Sequence, residues 1–289
     1  MSLVEVIILA VVQGLAELLP VSSSAHVIVA EKLMGLDPSS PPMTLLLVML
    51  HAGTMFAVVV YFWQQWRSTY FQSWVAFKKS AALVMLATVL SGIVGEGCIK
   101  MVEKTVFRNQ PKAQIEDLFG HLEFIAPALA AAGVLILIAG NIEKRRRARL
   151  SAENNPLNAR QAGVIGAVQG LCLPFRGFSR SGATISAGML AGVPKSQAET
   201  FSFALAVVLT PPVVARETLR VLQAERIRGT AQLTSALLPS MLGAAFAFFA
   251  GLLALKWLTE WLEGGRWYLF GIYCLIAAVI VAALHRGGY

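Results

Sequence analysis

The chain has 289 residues, of which 56% are hydrophobic and only 14% are charged. A soluble globular domain carries about 25% charged residues, because much of its folded surface stays in contact with water. The mean hydropathy of +0.66 agrees with this imbalance. The composition excludes a disordered chain, a disulfide-rich secreted scaffold and an ordinary soluble enzyme, and it indicates an integral membrane protein.

The net charge of +8 does not predict a nucleic-acid partner, because the basic residues lie between apolar runs. Membrane proteins carry Lys and Arg in these flanking positions. The three cysteines are far apart in the sequence and form no CxxC pair, so we interpret them as small apolar side chains. We therefore expect the lipid bilayer as a partner of the chain, and no nucleic acid.

Six segments are apolar over about the 20 residues that a helix needs to cross the hydrocarbon core of a bilayer. They lie at about residues 43–66, 80–101, 122–142, 199–221, 232–256 and 267–285. We expect all six to be transmembrane helices of a single all-α membrane domain.

Two further regions, residues 1–35 and 160–194, are apolar but interrupted. Each consists of two short pieces that are about half a membrane long at 1.5 Å per helical residue. The sequence LPVSSSAH joins the first two pieces at Leu19–His26, and PFRGFSRSGAT joins the second two at Pro174–Thr184. Such a break is typical of a re-entrant helical hairpin, whose open backbone is tolerated where protein or a water-filled cavity surrounds it.

The two interrupted regions resemble each other, and each precedes three of the expected spans. VQGL and a later serine motif occur in both regions, at Val12–Leu15 with Ser22–Ala25 and at Val168–Leu171 with Ser179–Gly182. The shared order predicts an internal repeat of residues 1–155 and 156–289. Because each copy has an odd number of crossings, the second copy is inverted relative to the first. We therefore expect the two hairpin tips to enter from opposite faces and to meet near the midplane.

The basic residues also suggest an orientation for the chain. The densest cluster, EKRRRAR at Glu143–Arg149, directly follows the third expected span. The positive-inside rule places this loop in the cytoplasm. The first hairpin and both termini would then face the outside of the membrane.

The two tips contain polar and ionisable side chains, which are costly inside a membrane and are therefore candidates for function. The candidates are Gln13, Glu17, Ser22, Ser23, Ser24 and His26 in the first tip and Ser179, Arg180, Ser181, Gly182 and Thr184 in the second. A helix N-terminus has open N–H groups and a partial positive charge, so two half-helices that begin at these motifs would direct two anion sites at one cavity. Arg180 adds a planar guanidinium group suited to phosphate oxygens. The residues favour a phosphate or pyrophosphate ligand.

Glu17 would repel such an anion unless it binds a cation or handles a proton. A divalent cation that bridges the carboxylate and the phosphate removes this conflict. His26 lies three residues after Ser23, and the two side chains share a face if a helix begins near Ser22. Near neutral pH a histidine in this position can act as a general acid, a base or a nucleophile.

Purely structural roles are the alternative for several polar residues. Serines inside membrane helices often hydrogen-bond to backbone carbonyl groups, and this is an equal alternative for Ser22 and Ser24. His51, inside the first expected span, either lines the cavity or bridges two helices. Glu96 and Lys100 are four residues apart and are expected to form a surface pair.

Two long motifs resemble the bacterial undecaprenyl-pyrophosphate phosphatase family, also called the bacitracin-resistance protein family. The family pattern (E/Q)GxxExxPxSSxxH is similar to residues Gln13–His26, and PGxSRSGxT is similar to Arg176–Thr184. HxGT at His51–Thr54 and FSF at Phe201–Phe203 also resemble the family, so the resemblance covers essentially the whole chain. The Pro that usually precedes the glycine of the second motif is Arg176 here, which adds a positive charge near the expected phosphate.

The resemblance implies hydrolysis of a C55 isoprenyl pyrophosphate to the monophosphate and inorganic phosphate, which recycles a lipid carrier for cell-wall synthesis. It also implies a Mg²⁺ or Ca²⁺ cofactor, a bacterial inner-membrane location and a site open to the outer, periplasmic face. Ser23 and His26 are the candidates for attack and proton transfer, and the motif does not decide which is the nucleophile. Arg180 would bind phosphate, while Glu17 and Gln13 would hold the metal or position water. The sequence is compatible with a homodimer and specifies no oligomeric state.

Two other functions agree with parts of the sequence. Inverted repeats and broken helices are typical of secondary transporters and would also suit a lipid flippase. An intramembrane serine hydrolase is a weaker alternative, because Arg180 and two helix N-termini suit phosphate better than a neutral carbonyl group. Transport does not require Ser23 and His26 beside Glu17, and this favours the phosphatase.

Overall fold

The computed structural model of the chain describes residues 2–37, 40–106, 121–147, 156–228 and 232–287. All regular secondary structure in these ranges is α-helical, which confirms the expected all-α fold. The described ranges contain ten helices, which are α1 (Leu3–Leu18), α2 (Ser23–Leu33), α3 (Pro41–Thr69), α4 (Trp74–Val106), α5 (Leu122–Arg147), α6 (Ala159–Cys172), α7 (Arg180–Leu190), α8 (Lys195–Arg228), α9 (Gln232–Glu263) and α10 (Trp267–Arg286).

Six of these helices, α3, α4, α5, α8, α9 and α10, are long and apolar enough to cross a membrane. This confirms the six expected spans and makes the chain a multi-pass membrane protein. Several helices extend beyond the predicted apolar segments, as α4 does at Trp74–Val106 and α9 at Gln232–Glu263. Hydropathy locates only the part of a helix that lies in hydrocarbon, whereas the helical backbone continues into the polar interface. The expected basic loop begins at the end of α5. Its residues 148–155 lie outside the described residues.

The long helices differ in how much of their surface packs inside the protein. The most apolar window of α3 is 56% buried, whereas that of α4 is only 17% buried. Helix α3 packs along α9 and also contacts α1 and α8. Met85, Val89 and Ile93 of α4 are each more than half exposed. An exposed face of this composition lies against lipid, so α3 is central and α4 is peripheral.

Two pairs of shorter helices, α1–α2 and α6–α7, pack among the long ones. Helices α1 and α6 have 16 and 14 residues, which correspond to about 24 and 21 Å and fall short of the ~30 Å hydrocarbon core. Helices α2 and α7 have 11 residues each. The turns within the pairs occupy residues 19–22 and 173–179, within or next to the interruptions that the sequence predicts.

The first helix of each pair begins with the same kind of cap. At α1 the Ser2 side chain accepts from the Glu5 N–H group, and the Glu5 carboxylate accepts from the Ser2 N–H group at 2.7 Å. At α6 Asn158 and Gln161 make the corresponding two hydrogen bonds. Such a capping box satisfies amides that a helix leaves open at its start.

The glycine of each VQGL sequence allows a short helix to approach a long one closely. A Cβ atom at Gly14 would lie 2.7 Å from the carbonyl oxygen of Ala247 in α9, and one at Gly170 would lie 2.7 Å from that of Ser91 in α4. These distances leave no room for a side chain. The two glycines occupy the same position in the repeated VQGL sequence, and they therefore have similar packing roles.

Candidate active site

The turn between α1 and α2 lies against the turn between α6 and α7. Ser181 Oγ donates to the Leu19 carbonyl oxygen at 3.2 Å, and the Gly177 N–H group donates to Ser24 Oγ at 3.3 Å. Gly177 has φ +99°, a backbone conformation that glycine adopts without strain. The structure therefore brings together the two sets of residues that the sequence selects.

Glu17 is the centre of this cluster. Its Oε1 accepts from Arg180 Nη2 at 2.7 Å, and its Oε2 accepts from Ser23 Oγ at 2.5 Å and from Gln13 Nε2 at 3.2 Å. The His51 Nε2 atom lies 3.8 Å from the same Oε2. The Glu17 side chain is only 11% exposed, and a guanidinium group with two further donors takes the place of water around its carboxylate. Of the two roles considered for His51, this position agrees with lining the site.

Ser23 and His26 have different partners in the structure, although the sequence places them on one face. The Ser23 hydroxyl group donates a hydrogen bond to Glu17. His26 Nδ1 lies 2.7 Å from the Ser22 carbonyl oxygen, and its Nε2 lies 2.7 Å from the hydroxyl group of Tyr273 in α10. A carboxylate, and not the imidazole, is therefore the base that Ser23 contacts.

Arg180 has one guanidinium nitrogen that Glu17 does not use. Its buried Nη1 atom has no hydrogen-bond partner within the described residues. Ser22, at the start of α2, has φ +70° and makes no side-chain cap, so the first amides of α2 are not satisfied by that side chain. A buried guanidinium N–H group without an acceptor costs free energy, and the start of a helix attracts negative charge, so these two features favour an anion at this point.

The other predicted binding residues have hydroxyl groups that contact protein atoms. Ser22 and Ser24 hydroxyl oxygens are 3.2 Å apart, and Ser179 Oγ caps α7 by accepting from the Gly182 N–H group at 3.2 Å. Thr184 Oγ1 donates to the Arg180 carbonyl oxygen at 2.7 Å and lies 2.6 Å from Ser202 Oγ in α8. The contacts of Ser179 and Thr184 hold the start of α7, where Arg180 lies.

Arg176, the residue that departs from the family pattern, has an acidic neighbour. Its charge acts on the carboxylate of Glu31, which lies in the last turn of α2 and is only 2% exposed. Glu31 does not belong to either motif. The additional positive charge in the second turn is thus accompanied by a buried carboxyl group.

Two buried or contacting residues were missed by the sequence interpretation. Tyr273 contacts His26, but a single tyrosine within an apolar span carries no signal that separates it from a lipid-facing one. Gln169 is 2% exposed, and its buried Oε1 has no hydrogen-bond partner among the described side chains and backbone. The repeated VQGL sequence could have identified Gln169, since it corresponds there to Gln13.

Comparison with known proteins identifies the family. The family model described as "Bacitracin resistance protein BacA" matches residues 6–280. Undecaprenyl-diphosphatase 2 of Acinetobacter baylyi is 54% identical over 287 residues, which cover 98% of both chains. The undecaprenyl-diphosphatases of Rhodopirellula baltica and Halothermothrix orenii are 31% and 30% identical, and each alignment again covers 98% of both chains. The chain therefore belongs to the bacitracin resistance protein BacA family, as the resemblance of its two motifs indicates.

Proposed function

We propose that the chain hydrolyses undecaprenyl diphosphate to undecaprenyl phosphate and inorganic phosphate, and so recycles the lipid carrier for cell-wall synthesis. Relatives named for this activity match the chain over nearly its whole length. The observation that carries the proposal is the cluster in which Glu17 holds both the Ser23 hydroxyl group and Arg180. Phosphoryl transfer needs a base beside an attacking group and a cation beside the phosphate, and this cluster supplies both.

The proposed phosphate position lies between Arg180 and the start of α2. The unused Nη1 group of Arg180 would donate to one phosphate oxygen, and the first amides of α2 to others. Ser179, Ser181 and Thr184 already bond to protein atoms, so we propose that they shape the turn around the phosphate.

Ser23 is the attacking group in this proposal. Its oxygen forms a bond to the terminal phosphorus while Glu17 Oε2 takes its proton, and the bond from that phosphorus to the bridging oxygen breaks. Undecaprenyl phosphate leaves with the bridging oxygen. Water then attacks the phosphoserine, His26 Nε2 accepts one proton of that water, and Glu17 returns a proton to Ser23 as inorganic phosphate leaves. His26 then releases its proton to solvent, so both groups return to their initial states.

We also propose that a divalent cation, Mg²⁺ or Ca²⁺, enters with the substrate. Within the described residues, no three His, Cys, Asp or Glu side chains are grouped so that they could hold a metal ion. Glu17 offers a carboxylate, and Gln13 offers an amide oxygen because its Nε2 donates to Glu17. This donor set fits Mg²⁺, which proteins often bind through one or two carboxylates together with substrate phosphates. When bound, the cation would neutralise charge on the phosphate oxygens.

The architecture that we propose is an inverted repeat of residues 1–155 and 156–289 within one membrane domain. The two short-helix pairs are proposed to be re-entrant hairpins that enter from opposite faces and meet near the midplane. The similar packing of Gly14 and Gly170 and the capping boxes at both first helices support the repeat. The position of Lys144 and Arg145 at the end of α5 supports an inner-membrane orientation with the site open to the outer face.

Phosphate release from undecaprenyl diphosphate by the purified protein tests the proposal. We expect release by the unaltered protein, loss of release with a chelator, and recovery when Mg²⁺ or Ca²⁺ is added. Arg180→Ala should remain folded in detergent but lose most of the activity, whereas Arg67→Ala, at the exposed end of α3, should retain it. Normal turnover by Arg180→Ala would contradict the site, and lipid movement without phosphate release would favour a transporter.

A further inference from the structure

Tyr273 of α10 contacts the imidazole group of His26, and we propose that it is a positioning residue for that imidazole in the hydrolysis proposed above. The Tyr273 hydroxyl oxygen lies 2.7 Å from His26 Nε2. The two rings are stacked, with centroids 5.6 Å apart and an angle of 15° between their planes. The inference rests on the proposed function, because it assigns to Tyr273 an effect on the group that would accept the proton of water.

Helix α10 is held against the first turn close to Tyr273. The thiol of Cys274 donates to the Pro20 carbonyl oxygen at 3.4 Å. Further along α10, Ala278 belongs to the same buried cluster as Ala25 of α2. The packing of α10 therefore holds Tyr273 beside His26, so the contact does not depend on the conformation of one flexible side chain alone.

The partners of the two ring nitrogens determine which of them carries the proton. A carbonyl oxygen only accepts hydrogen bonds, so His26 Nδ1 must donate to the Ser22 carbonyl oxygen, 2.7 Å away. A neutral imidazole has one N–H group, and the lone pair is therefore at Nε2. The Tyr273 hydroxyl group donates to that lone pair. Two hydrogen bonds at opposite corners of the ring thus fix both its tautomer and its plane.

This tautomer is the one that proton transfer from water requires. Nε2 is unprotonated, and the phenol holds the ring so that the lone pair has a defined direction. Tyr273 is 46% exposed, so the attacking water can reach its hydroxyl group. The phenol passes its proton to Nε2 as it takes one from that water, and its hydrogen bond keeps the ring oriented until the proton moves. Without the phenol, the Ser22 carbonyl oxygen is the remaining hydrogen-bond partner of the ring within the described residues, and the ring turns about it.

Replacing Tyr273 with Phe removes the hydroxyl group and keeps the aromatic ring. Any contact of the ring with lipid or with His26 is then preserved, so that only the hydrogen bond is tested. We expect Tyr273→Phe to lower kcat for phosphate release about tenfold with KM changed less than about twofold, since one hydrogen bond contributes on the order of that factor. Tyr273→Leu, which also removes the stacked ring, should lower kcat further.

The matched control is Tyr268→Phe, the same change on the same helix at a side chain that is 45% exposed. It should leave kcat unchanged. If Tyr273→Phe has the kcat of the unaltered protein while Tyr273→Leu is impaired, the ring acts by packing alone and the inference is wrong. An equal loss of kcat in Tyr268→Phe would also overturn the inference, because any loss of a tyrosine hydroxyl group from α10 would then have the same effect.

A measurement on the free protein separates this inference from the proposed function. The chain has four histidines, so ¹⁵N spectra of protein labelled only at histidine are simple, and His26→Gln assigns the signals of His26. We expect the Nε2 signal of His26 to be that of an unprotonated, hydrogen-bonded nitrogen, and to shift in Tyr273→Phe but not in Tyr268→Phe. An unchanged signal in Tyr273→Phe overturns the inference even if the unaltered protein hydrolyses the substrate. If the signal shifts in Tyr273→Phe but the unaltered protein releases no phosphate, the hydrogen bond between Tyr273 and His26 is supported and the proposed function is wrong.

Discussion

The ion pair between Glu17 and Arg180 predicts an energetic coupling that Glu17→Gln, Arg180→Gln and the double variant can measure. The two side chains are 11% and 22% exposed, and Oε1 lies 2.7 Å from Nη2. Removing one partner of a buried pair leaves an uncompensated charge and costs about 3–5 kcal/mol. Because Arg180 is partly in contact with water, we expect the lower end of that range, about 3 kcal/mol for each single variant. The double variant leaves no charge behind, so its loss should be smaller than the sum by about 2 kcal/mol.

The assay is the free energy of unfolding in detergent micelles, measured by reversible denaturation for all four proteins. Glu96 and Lys100 provide the control cycle, because they form a pair at 3.1 Å with side chains 61% and 65% exposed. There the coupling should be only about 0.3–0.5 kcal/mol. A coupling at Glu17 and Arg180 as small as at this surface pair would refute the buried ion pair. Both single variants and the double variant should lose phosphate release by at least about 100-fold, and recovered activity in the double variant would refute the proposed roles.

Two further predictions concern a packing contact and the attacking group. Gly170→Ala places a Cβ atom 2.7 Å from the Ser91 carbonyl oxygen and should lower the free energy of unfolding by about 1–3 kcal/mol. Gly92→Ala on α4, where a Cβ meets no atom of the described residues within 4 Å, should change the free energy of unfolding by less than about 1 kcal/mol. Equal losses in the two variants would contradict the close approach of α6 to α4. Ser23→Ala should lower kcat at least about 100-fold without a change in thermal midpoint, whereas Ser68→Ala, at the exposed end of α3, should retain activity. A Ser23→Ala protein with normal kcat would exclude Ser23 as the attacking group.

The positions of the helices and interruptions could be predicted because they depend on local properties of the chain. Hydropathy located six spans, and the Pro, Gly and Ser residues at 19–26 and 174–184 located the interruptions. The helices after the turns begin at Ser23 and Arg180, inside those predicted interruptions. Serine at a helix start is compatible with either a turn or a first helical residue, so composition alone does not fix the boundary.

The hydrogen-bond partners of the site residues could not be predicted in the same way. A spacing of three placed Ser23 and His26 on one face, but Ser23 is the first residue of α2 and its hydroxyl group reaches back to Glu17 in α1. The contact between His26 and Tyr273 joins positions 247 apart and depends on how α10 packs against the first turn. These two contacts are set by tertiary packing, which the periodicity of the sequence does not reveal.

The charges around the site explain why a cation should be required. Glu17 compensates Arg180 at 2.7 Å, and buried Glu31 is the acidic neighbour of Arg176. Arg180 thus has a negative partner before the substrate binds, and within the described residues it keeps one N–H group without a partner but no uncompensated charge. A diphosphate brings several negative charges into surroundings of low dielectric constant, where uncompensated charge is costly. A divalent cation shared by Glu17 and the phosphate supplies the missing positive charge. Arg176 brings one positive charge beside a buried acidic side chain, which is less than the two charges that a divalent cation supplies, so the chain should depend on the metal despite its more basic turn.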